Sequence, residues 1–212
     1  MSALFVSFEG LDGSGKSTQL RRAAQWLAAQ GALCEVTHEP GGTPLGEAIR
    51  DLFLSHRFPE TEGGVEMLMV FASRRQHLAQ VIDPALQRGV HVLCDRFTDS
   101  TVAYQGHGRG VALDLIARVD ALSTGSRRPD LTLLFDVPAA MARARRHRGE
   151  ADRLDAEDLA FYERVRAGYL EVAAAEPRRV RVIDSSGDKE ATAAAVRSAL
   201  APLLAQPSGV GR

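Results

Sequence analysis

The sequence predicts an α/β fold in which a five-stranded parallel sheet carries helices on both faces. Five apolar segments of strand length recur along the chain, and segments with helical apolar spacing lie between them. Three of the strand segments, LFVSF, VHVLCD and LTLLFDV, are almost continuously apolar, which is typical of parallel strands covered on both sides. Strands that alternate with helices favour right-handed crossovers and a layer of helices on each face.

The individual elements follow from these segments. The predicted strands are Leu4–Phe8, Leu33–His38, Val90–Asp95, Leu131–Val137 and Val180–Asp184. The first helix follows Lys16, where an apolar stripe runs from Leu20 to Ala28 and Gly31 is placed to end it. The other predicted helices are Pro44–Leu54, Glu66–Arg88, Leu113–Leu122, Ala139–His147, Ala156–Ala175 and Ala191–Leu204. We expect residues 1–205 to form a single domain and residues 206–212 to be a disordered tail.

The composition narrows the class of protein. The 212 residues are 45% apolar and 25% charged with a net charge of −1, which excludes a disordered chain, a collagen and a coiled-coil rod. The balanced charge gives no sign of a nucleic-acid or membrane partner, and no apolar run is long enough to span a bilayer. Cys34 and Cys94 lie in apolar runs and are expected to be reduced core residues, which favours a cytoplasmic location.

A phosphate-binding motif follows the first strand. In FEGLDGSGKST, Gly10 is separated by four residues from Gly15, Lys16 and Ser17, which is the P-loop spacing. Glycines let backbone N–H groups approach phosphate oxygens, and the helix that follows turns its positive end toward the anion. The lysine reaches the β- and γ-phosphates and the serine helps to hold Mg²⁺. The predicted nucleotide-binding residues are Gly10, Leu11, Asp12, Gly13, Ser14, Gly15, Lys16, Ser17 and Thr18.

The remaining motifs favour a small kinase among the P-loop proteins. A GTPase needs an Asn-Lys-x-Asp segment, and neither of the two lysines, Lys16 and Lys189, lies in one. A kinase whose acceptor is also an anion needs arginines near that acceptor. Arginine-containing segments that could serve are THEPGGTPLGEAIR, VFASRRQH, VLCDRFTDSTVAYQG, RARRHRGEADR and RRPDLTLLFDVP.

These motifs together closely resemble those of the bacterial thymidylate kinases, in order, from about Phe5 to Asp184. DRF-x-x-S-x-x-AYQ is the most specific piece, followed by EPGG, and both accompany the P-loop. The resemblance implies a three-layer P-loop kinase fold with an arginine-rich lid at about residues 143–155. It also implies transfer of the γ-phosphate of ATP to dTMP, giving dTDP for dTTP synthesis, with Mg²⁺ as cofactor and a homodimer as the assembly.

The same resemblance implies roles for residues around the phosphates. Asp12 would lie near the 3′-hydroxyl of the acceptor, and Asp95 would join Ser17 near Mg²⁺. Arg96 and Arg50 would grip the dTMP phosphate, since guanidinium geometry suits that group. Glu39 would orient one of these arginines, although it could instead be a cap at the end of a strand.

Base recognition is implied for a second set of residues. Arg74 would bond the O4 edge of thymine, and Thr101 and Gln105 would read the rest of the base. Ser100 would belong to the same acceptor site, and Tyr104 would crowd the 2′ position and so disfavour a ribose. Family members place an aromatic residue four positions before the arginine, where this chain has Val70. Either Phe71 still reaches the base or Arg75 is the true partner, and Phe71 and Tyr104 could also be core aromatics.

The arginine-rich segment after the fourth strand is predicted to be the lid. The P-loop positions from Leu11 to Ser14 contain no basic side chain, so further positive charge must come from elsewhere. We expect Arg148 and Arg153 to close over the ATP phosphates, with Arg143, Arg145 and Arg146 less directly involved. A solvated helix end is the alternative for this segment. For the whole chain the alternatives are another nucleoside monophosphate kinase and a nucleotide-binding switch without turnover.

Overall fold

The protein's structure, a computed structural model, describes residues 3–146 and 153–204. Its strands are β1 (Phe5–Gly10), β2 (Cys34–His38), β3 (His91–Asp95), β4 (Leu131–Asp136) and β5 (Val180–Asp184). They form one parallel sheet in the order β2-β3-β1-β4-β5. The predicted five-stranded parallel sheet is therefore confirmed, and β1, which precedes the P-loop, lies at its centre.

Helices lie between successive strands as the sequence predicts, but two helical regions differ from the prediction. They are α1 (Lys16–Ala29), α2 (Pro44–Leu54), α3 (Gly63–His77), α4 (Asp83–Gln87), α5 (Thr98–Thr101), α6 (Leu113–Thr124), α7 (Ala139–Arg146), α8 (Leu159–Ala175) and α9 (Lys189–Leu204). One long helix was predicted over Glu66–Arg88. The structure instead shows α3, a π-helical turn at Leu78–Ile82 and α4 in direct succession.

Alternate residues of the central strands bury their side chains on opposite faces of the sheet. On one face, Val6 and Phe8 of β1 pack with Leu27 of α1 and Leu200 of α9. On the other, Phe5 packs with residues of β3 and of the helical segment between α3 and β3. A third cluster joins α8 to the segment that follows β3. Both faces of the sheet are covered by apolar side chains, which explains why the sequences of the central strands are almost continuously apolar.

One helical segment was missing from the prediction. Residues Thr98–Thr101 form α5, and a π-helical segment, Val102–Gly108, continues it. Its sequence, TDSTVAYQGHG, contains no apolar stripe, and several of its polar side chains are buried. Period-based reasoning fails here because the buried polar groups line a pocket instead of an apolar core.

Parts of two expectations lie outside the described residues. These are the tail, 206–212, and the middle of the lid segment, including Arg148. Cys94 is buried as expected, but Cys34 is only partly buried because it begins the edge strand β2. Within residues 3–146 and 153–204, none of the helices has the length and apolar character needed to cross a bilayer.

Candidate active site

The loop between β1 and α1 is a phosphate cradle built on glycines. Gly10, Gly13 and Gly15 have φ angles of 134°, 85° and 94°, a region that side chains with a Cβ rarely adopt. A Cβ on Gly10 would stand 2.5 Å from the carbonyl oxygen of Phe135, so the close approach of the neighbouring strand also requires glycine. Side chains or backbone of Asp12 to Gln19 line the donor cleft, together with Ala144, Arg145, Ser185, Gly187, Lys189 and Thr192.

Lys16 lies in this cleft with its ammonium group nearly buried. Its Nζ donates to the carbonyl oxygen of Leu11 at 3.2 Å and lies 3.6 Å from Oδ1 of Asp12. Burial lowers the pKa of Lys16, and the positive charge of Arg96 acts in the same direction. Phosphate groups in the cradle would oppose both causes, because an adjacent anion favours the charged ammonium.

Oxygen ligands suited to Mg²⁺ lie beside the cradle. The hydroxyl of Ser17 donates to Oδ2 of Asp95 at 2.7 Å, which brings the start of α1 to the end of β3. Mg²⁺ prefers a few hard oxygen ligands of this kind, with water and substrate phosphates completing its shell. The residues present therefore fit a magnesium nucleotide in the donor cleft.

Arg96 connects the cradle to a second pocket. Its Nη2 donates to Oδ1 of Asp12 at 2.8 Å and to the hydroxyl of Tyr104 at 3.2 Å. Its Nη1 donates to the hydroxyl oxygens of Ser100 and Tyr169 at 3.0 and 2.8 Å. Burial works against the charge of Arg96, but Asp12, Tyr104, Tyr169 and Asp95 together outweigh it and raise the pKa well above its ordinary value. The guanidinium is thus a fixed cation, held on a backbone with a φ of 76°.

The second pocket gathers most of the residues expected to bind the acceptor. It is lined by Asp12, Glu39, Pro40, Arg50, Phe53, Leu54, Val70, Arg74, Arg96, Ser100, Thr101, Tyr104, Gln105 and Leu154. A further cleft is lined in part by Asp12, Lys16, Asp95 and Arg96, so it shares residues both with this pocket and with the donor cleft. Because Asp12 lines all three, the two pockets meet at the P-loop.

A buried chain of hydrogen bonds holds Arg74 at the pocket wall. Its Nε donates to Oε2 of Glu39 at 2.6 Å and its Nη1 to the hydroxyl of Thr101 at 3.0 Å. The other oxygen of Glu39 lies 2.9 Å from Nδ1 of His77, and Nε2 of that histidine lies 2.6 Å from the hydroxyl of Thr37. An arginine fixed in this way presents its remaining N–H groups in one direction.

Comparisons with known proteins agree with this arrangement. A family model described as "Thymidylate kinase" matches residues 8–196. The chain belongs to the thymidylate kinase family. It is 47% identical to the thymidylate kinase of Geobacter sulfurreducens over 92% of this chain and 95% of that protein. It is 48% identical to the thymidylate kinase of Pseudomonas syringae pv. syringae, over 97% of each.

A solved structure extends the likeness to three dimensions. The crystal structure of thymidylate kinase from Ehrlichia chaffeensis is similar to this chain with a TM-score of 0.78 and 34% identity, covering 95% of this chain and 99% of that one. The fold expected from the P-loop and the strand pattern is therefore that of the thymidylate kinase family, and the chain is a kinase.

The structure does not place Phe71 in the acceptor pocket. Phe71 packs in a buried cluster with Met67 and Ile116, whereas Val70 lines the pocket. Val70 and Arg74 are four residues apart on α3 and so share a face, while Phe71 points about 100° away. The expected stacking of Phe71 on a base is thus corrected. Arg75 is exposed, which leaves Arg74 as the arginine of the pocket.

The arginines of the predicted lid are distributed differently from the prediction. Arg153 does not face the donor cleft; it is 4% exposed and its Nη1 donates to Oε1 of Glu66 at 2.7 Å. The reason is a buried carboxylate on α3 that needs a cationic partner. Arg145, which was expected to be less involved, lines the donor cleft and donates to the carbonyl oxygens of Ser185 and Ser186. Arg148 lies outside the described residues.

Two buried glutamates in this thymidylate kinase fold were missed by the sequence reasoning. Glu9, at the end of β1, accepts from the backbone N–H of Phe97 and from the hydroxyl of Ser100. Burial, followed by the charge of Asp99, raises the pKa of Glu9 to about 8. The burial of Glu9 could have been predicted, because it is a glutamate inside the apolar run LFVSFEG. The sequence around Glu66 in α3 contains no comparable sign that this side chain is buried.

One buried group of possible metal ligands lies behind the pocket. In the described part of the chain, ligand atoms of Glu39, His77 and Cys94 lie within 4.8 Å of one another. Both carboxylate oxygens and both ring nitrogens already have hydrogen-bond partners. Burial and the nearby charge of Glu39 raise the pKa of the Cys94 thiol well above its usual value, which disfavours the thiolate that a metal needs. The group is better explained as the support of Arg74.

Proposed function

We propose that this chain transfers the γ-phosphate of ATP to dTMP and forms dTDP and ADP, as a step toward dTTP. The observation that carries the proposal is the junction of the two pockets at Asp12, Lys16 and Arg96. A phosphate in the cradle and a phosphate in the acceptor pocket would face each other across these three side chains. This is the arrangement that transfer between two anions requires.

On the donor side, the P-loop would hold the triphosphate through its backbone N–H groups and the ammonium of Lys16. Ser17 and Asp95 are the proposed ligands of Mg²⁺, because their side-chain oxygens lie 2.7 Å apart beside the cradle. Mg²⁺ bound there would supply positive charge to the phosphate oxygens as negative charge moves during transfer. Arg148 and Arg145 are proposed to add charge from the lid side, Arg145 because it lines the cleft.

On the acceptor side, Arg96 and Arg50 would bind the dTMP phosphate. The second pKa of a phosphate monoester is about 6, so dTMP is mostly a dianion at neutral pH and can attack without a general base. The work of the protein is then to position the two phosphates and to offset their repulsion with preorganised cations. Asp12 would bind near the 3′-hydroxyl and fix the direction of Arg96.

For the base, we propose that Arg74 donates to O4 of thymine and that Thr101 and Gln105 contact the remaining edge. Each of the three lines the pocket, and the Glu39–His77 pair behind Arg74 fixes its direction. Tyr104 would restrict the space at the 2′ position of the sugar. Val70, in place of Phe71, would then contact the face of the base.

We also propose a homodimer in the cytoplasm. Exposed apolar side chains gather on α2 and α3 and on the loop between them: Leu52, Phe58, Val65 and Leu68 are 49%, 43%, 47% and 57% exposed. We call this set the α3 face. An apolar surface of this kind is a typical subunit interface. The two free thiols are compatible with a reducing compartment.

The test of this function is ADP release measured with and without dTMP. Wild-type protein should release ADP in a dTMP-dependent reaction, with kcat/KM at least about tenfold higher for dTMP than for dCMP or AMP, because a pocket that hydrogen-bonds a base edge rejects the opposite donor pattern. Arg74→Ala should raise KM for dTMP at least about tenfold with KM for ATP within about twofold, since a charge-assisted bond is lost.

Arg75→Ala is the matched control, because Arg75 is the exposed neighbour on the same helix. Circular dichroism at the assay temperature checks that Arg74→Ala remains folded without its bond to Glu39. A rate of ADP release that is the same with and without dTMP would contradict the proposed function. An effect of Arg75→Ala larger than that of Arg74→Ala would instead contradict the assignment on α3.

A further inference from the structure

Glu66 occupies an unusual position at the first turn of α3. Its carboxylate has no exposed surface and accepts hydrogen bonds from three side chains of other elements. Arg153 donates to Oε1 at 2.7 Å, and Nε of Arg109 lies 3.2 Å from each oxygen. The third donor is Nε2 of Gln105 at 3.1 Å, and Gln105 lines the acceptor pocket.

Two guanidinium groups form ion pairs with this buried carboxylate: Nη1 of Arg153 lies 2.7 Å and Nη2 of Arg109 lies 3.1 Å from Oε1. Arg109 also pairs with Glu157 at 2.6 Å, so the cluster of two arginines and two glutamates is balanced in charge. A carboxylate paired with two arginines accepts hydrogen bonds and donates none. The group of Gln105 that contacts Glu66 must therefore be a hydrogen-bond donor, which is the amide nitrogen Nε2.

The amide of Gln105 thus has one favoured direction. Its nitrogen is held by Glu66, and its amide oxygen accepts no hydrogen bond from the residues that the structure describes. Gln105 is only 3% exposed, so the amide cannot exchange partners freely with bulk water. Turning the amide over would set two acceptors against each other and leave a buried carboxylate short of one donor, which is costly in a solvent-excluded site.

We propose that Glu66 is a positioning residue for base recognition: it fixes Gln105 so that the amide oxygen faces the acceptor pocket and accepts a hydrogen bond from an N–H group of the base. This inference rests on the proposed binding of dTMP in that pocket. Thymine carries an N–H group at N3, whereas cytosine carries an acceptor at the same position. A glutamine that cannot turn over therefore selects the thymine pattern, and a glutamine that can turn over accepts both.

The experiment compares Glu66→Gln with wild type in steady-state assays with dTMP and dCMP. A glutamine at this position can donate or accept, so Gln105 becomes free to turn. We expect KM for dTMP to rise about tenfold, with kcat and KM for ATP within about threefold, and the ratio of kcat/KM for dTMP to that for dCMP to fall about tenfold.

Glu157→Gln is the matched control, because it removes the other carboxylate from Arg109 without touching Gln105. Its dTMP/dCMP ratio should stay within about twofold of wild type. In a Gln105→Met background, Glu66→Gln should change the ratio no further, since the residue would act only through the missing amide. A general loss of structure would affect both backgrounds alike.

Three results would overturn the inference: a folded Glu66→Gln with wild-type KM and ratio, an equal change in Glu157→Gln, or a full effect in the Gln105→Met background. If Glu66→Gln does not fold, Glu66→Asp keeps the charge beside both arginines and should shift the ratio in the same direction; an unchanged ratio there also overturns it. If ADP release by the wild-type protein does not depend on dTMP, the result contradicts the proposed function instead.

Discussion

The hydroxyl of Ser17 and the carboxylate of Asp95 lie 2.7 Å apart, and they are our proposed magnesium ligands. Ser17→Ala removes one oxygen and leaves the glycines of the cradle in place. We expect the Mg²⁺ concentration for half-maximal activity to rise at least about fivefold, with KM for dTMP unchanged, because the acceptor pocket is not touched. A magnesium titration of activity at saturating ATP measures this.

Ser55→Ala serves as a control for serine removal away from both pockets, since Ser55 caps the end of α2. An identical magnesium dependence in Ser17→Ala and Ser55→Ala would contradict the assignment of Ser17.

Residue by residue, the sequence predicted those parts of the site that depend on a local motif. The P-loop spacing identified the cradle, and the DRF and AYQ segments identified the pocket residues that the structure brings together. The sequence could not predict the positions of the Phe71 and Arg153 side chains, because each position depends on a partner that is distant in the sequence. Phe71 finds an apolar cluster with Ile116, and Arg153 finds the carboxylate of Glu66.

At the scale of the elements, β1 ends in a buried acid that makes stability depend on pH. The pKa of Glu9 is raised to about 8 from an ordinary 4.5, chiefly by burial, so the folded chain binds a proton that the unfolded chain releases between these values. Folding stability should therefore fall as pH rises from about 5 to above 8. Glu9→Gln has no such titration and should lose less stability over that range.

The measurement is thermal unfolding of both proteins at pH 5.5 and pH 8.5. We expect the decrease in Tm to be smaller in Glu9→Gln by at least about 5 °C, a size that follows from a few kcal/mol in a chain of this length. Glu35→Gln, at an exposed position of β2, should follow wild type. Parallel curves for wild type and Glu9→Gln would show that Glu9 is ionised in the folded protein.

Elements with a regular apolar period were predictable, and the exceptions have a physical reason. The helix α8 and the central strands bury apolar side chains at regular spacing, so their type could be predicted from the sequence. The π-helical segments could not, because a π turn leaves no distinct period over five to seven residues. The second of them instead follows from its contacts with α8 and with Arg96.

At the scale of the whole molecule, the α3 face makes a prediction about assembly. Leu68→Glu places a charge on the most exposed residue of the α3 face and should convert a dimer into a monomer, because an unpaired charge cannot be buried at low cost. Sedimentation velocity or light scattering after gel filtration measures the mass. Leu33→Glu is the matched control, since Leu33 is 72% exposed and precedes the edge strand β2.

A wild-type protein that is monomeric at micromolar concentration would contradict the dimer. A Leu68→Glu variant that remains dimeric would move the interface to another surface.

The left-handed backbone at Arg96 bears on how this enzyme would respond to directed evolution. A residue with a Cβ at a φ of 76° costs about 1–2 kcal/mol relative to glycine, yet here the position carries one of the largest side chains. Glycine would relieve this strain, but it would also remove the cation that joins the two pockets and its hydrogen bonds to Asp12, Ser100, Tyr104 and Tyr169. A screen that selects for thermal stability alone should therefore retain Arg96 in spite of its strained backbone, because the buried hydrogen bonds outweigh the strain.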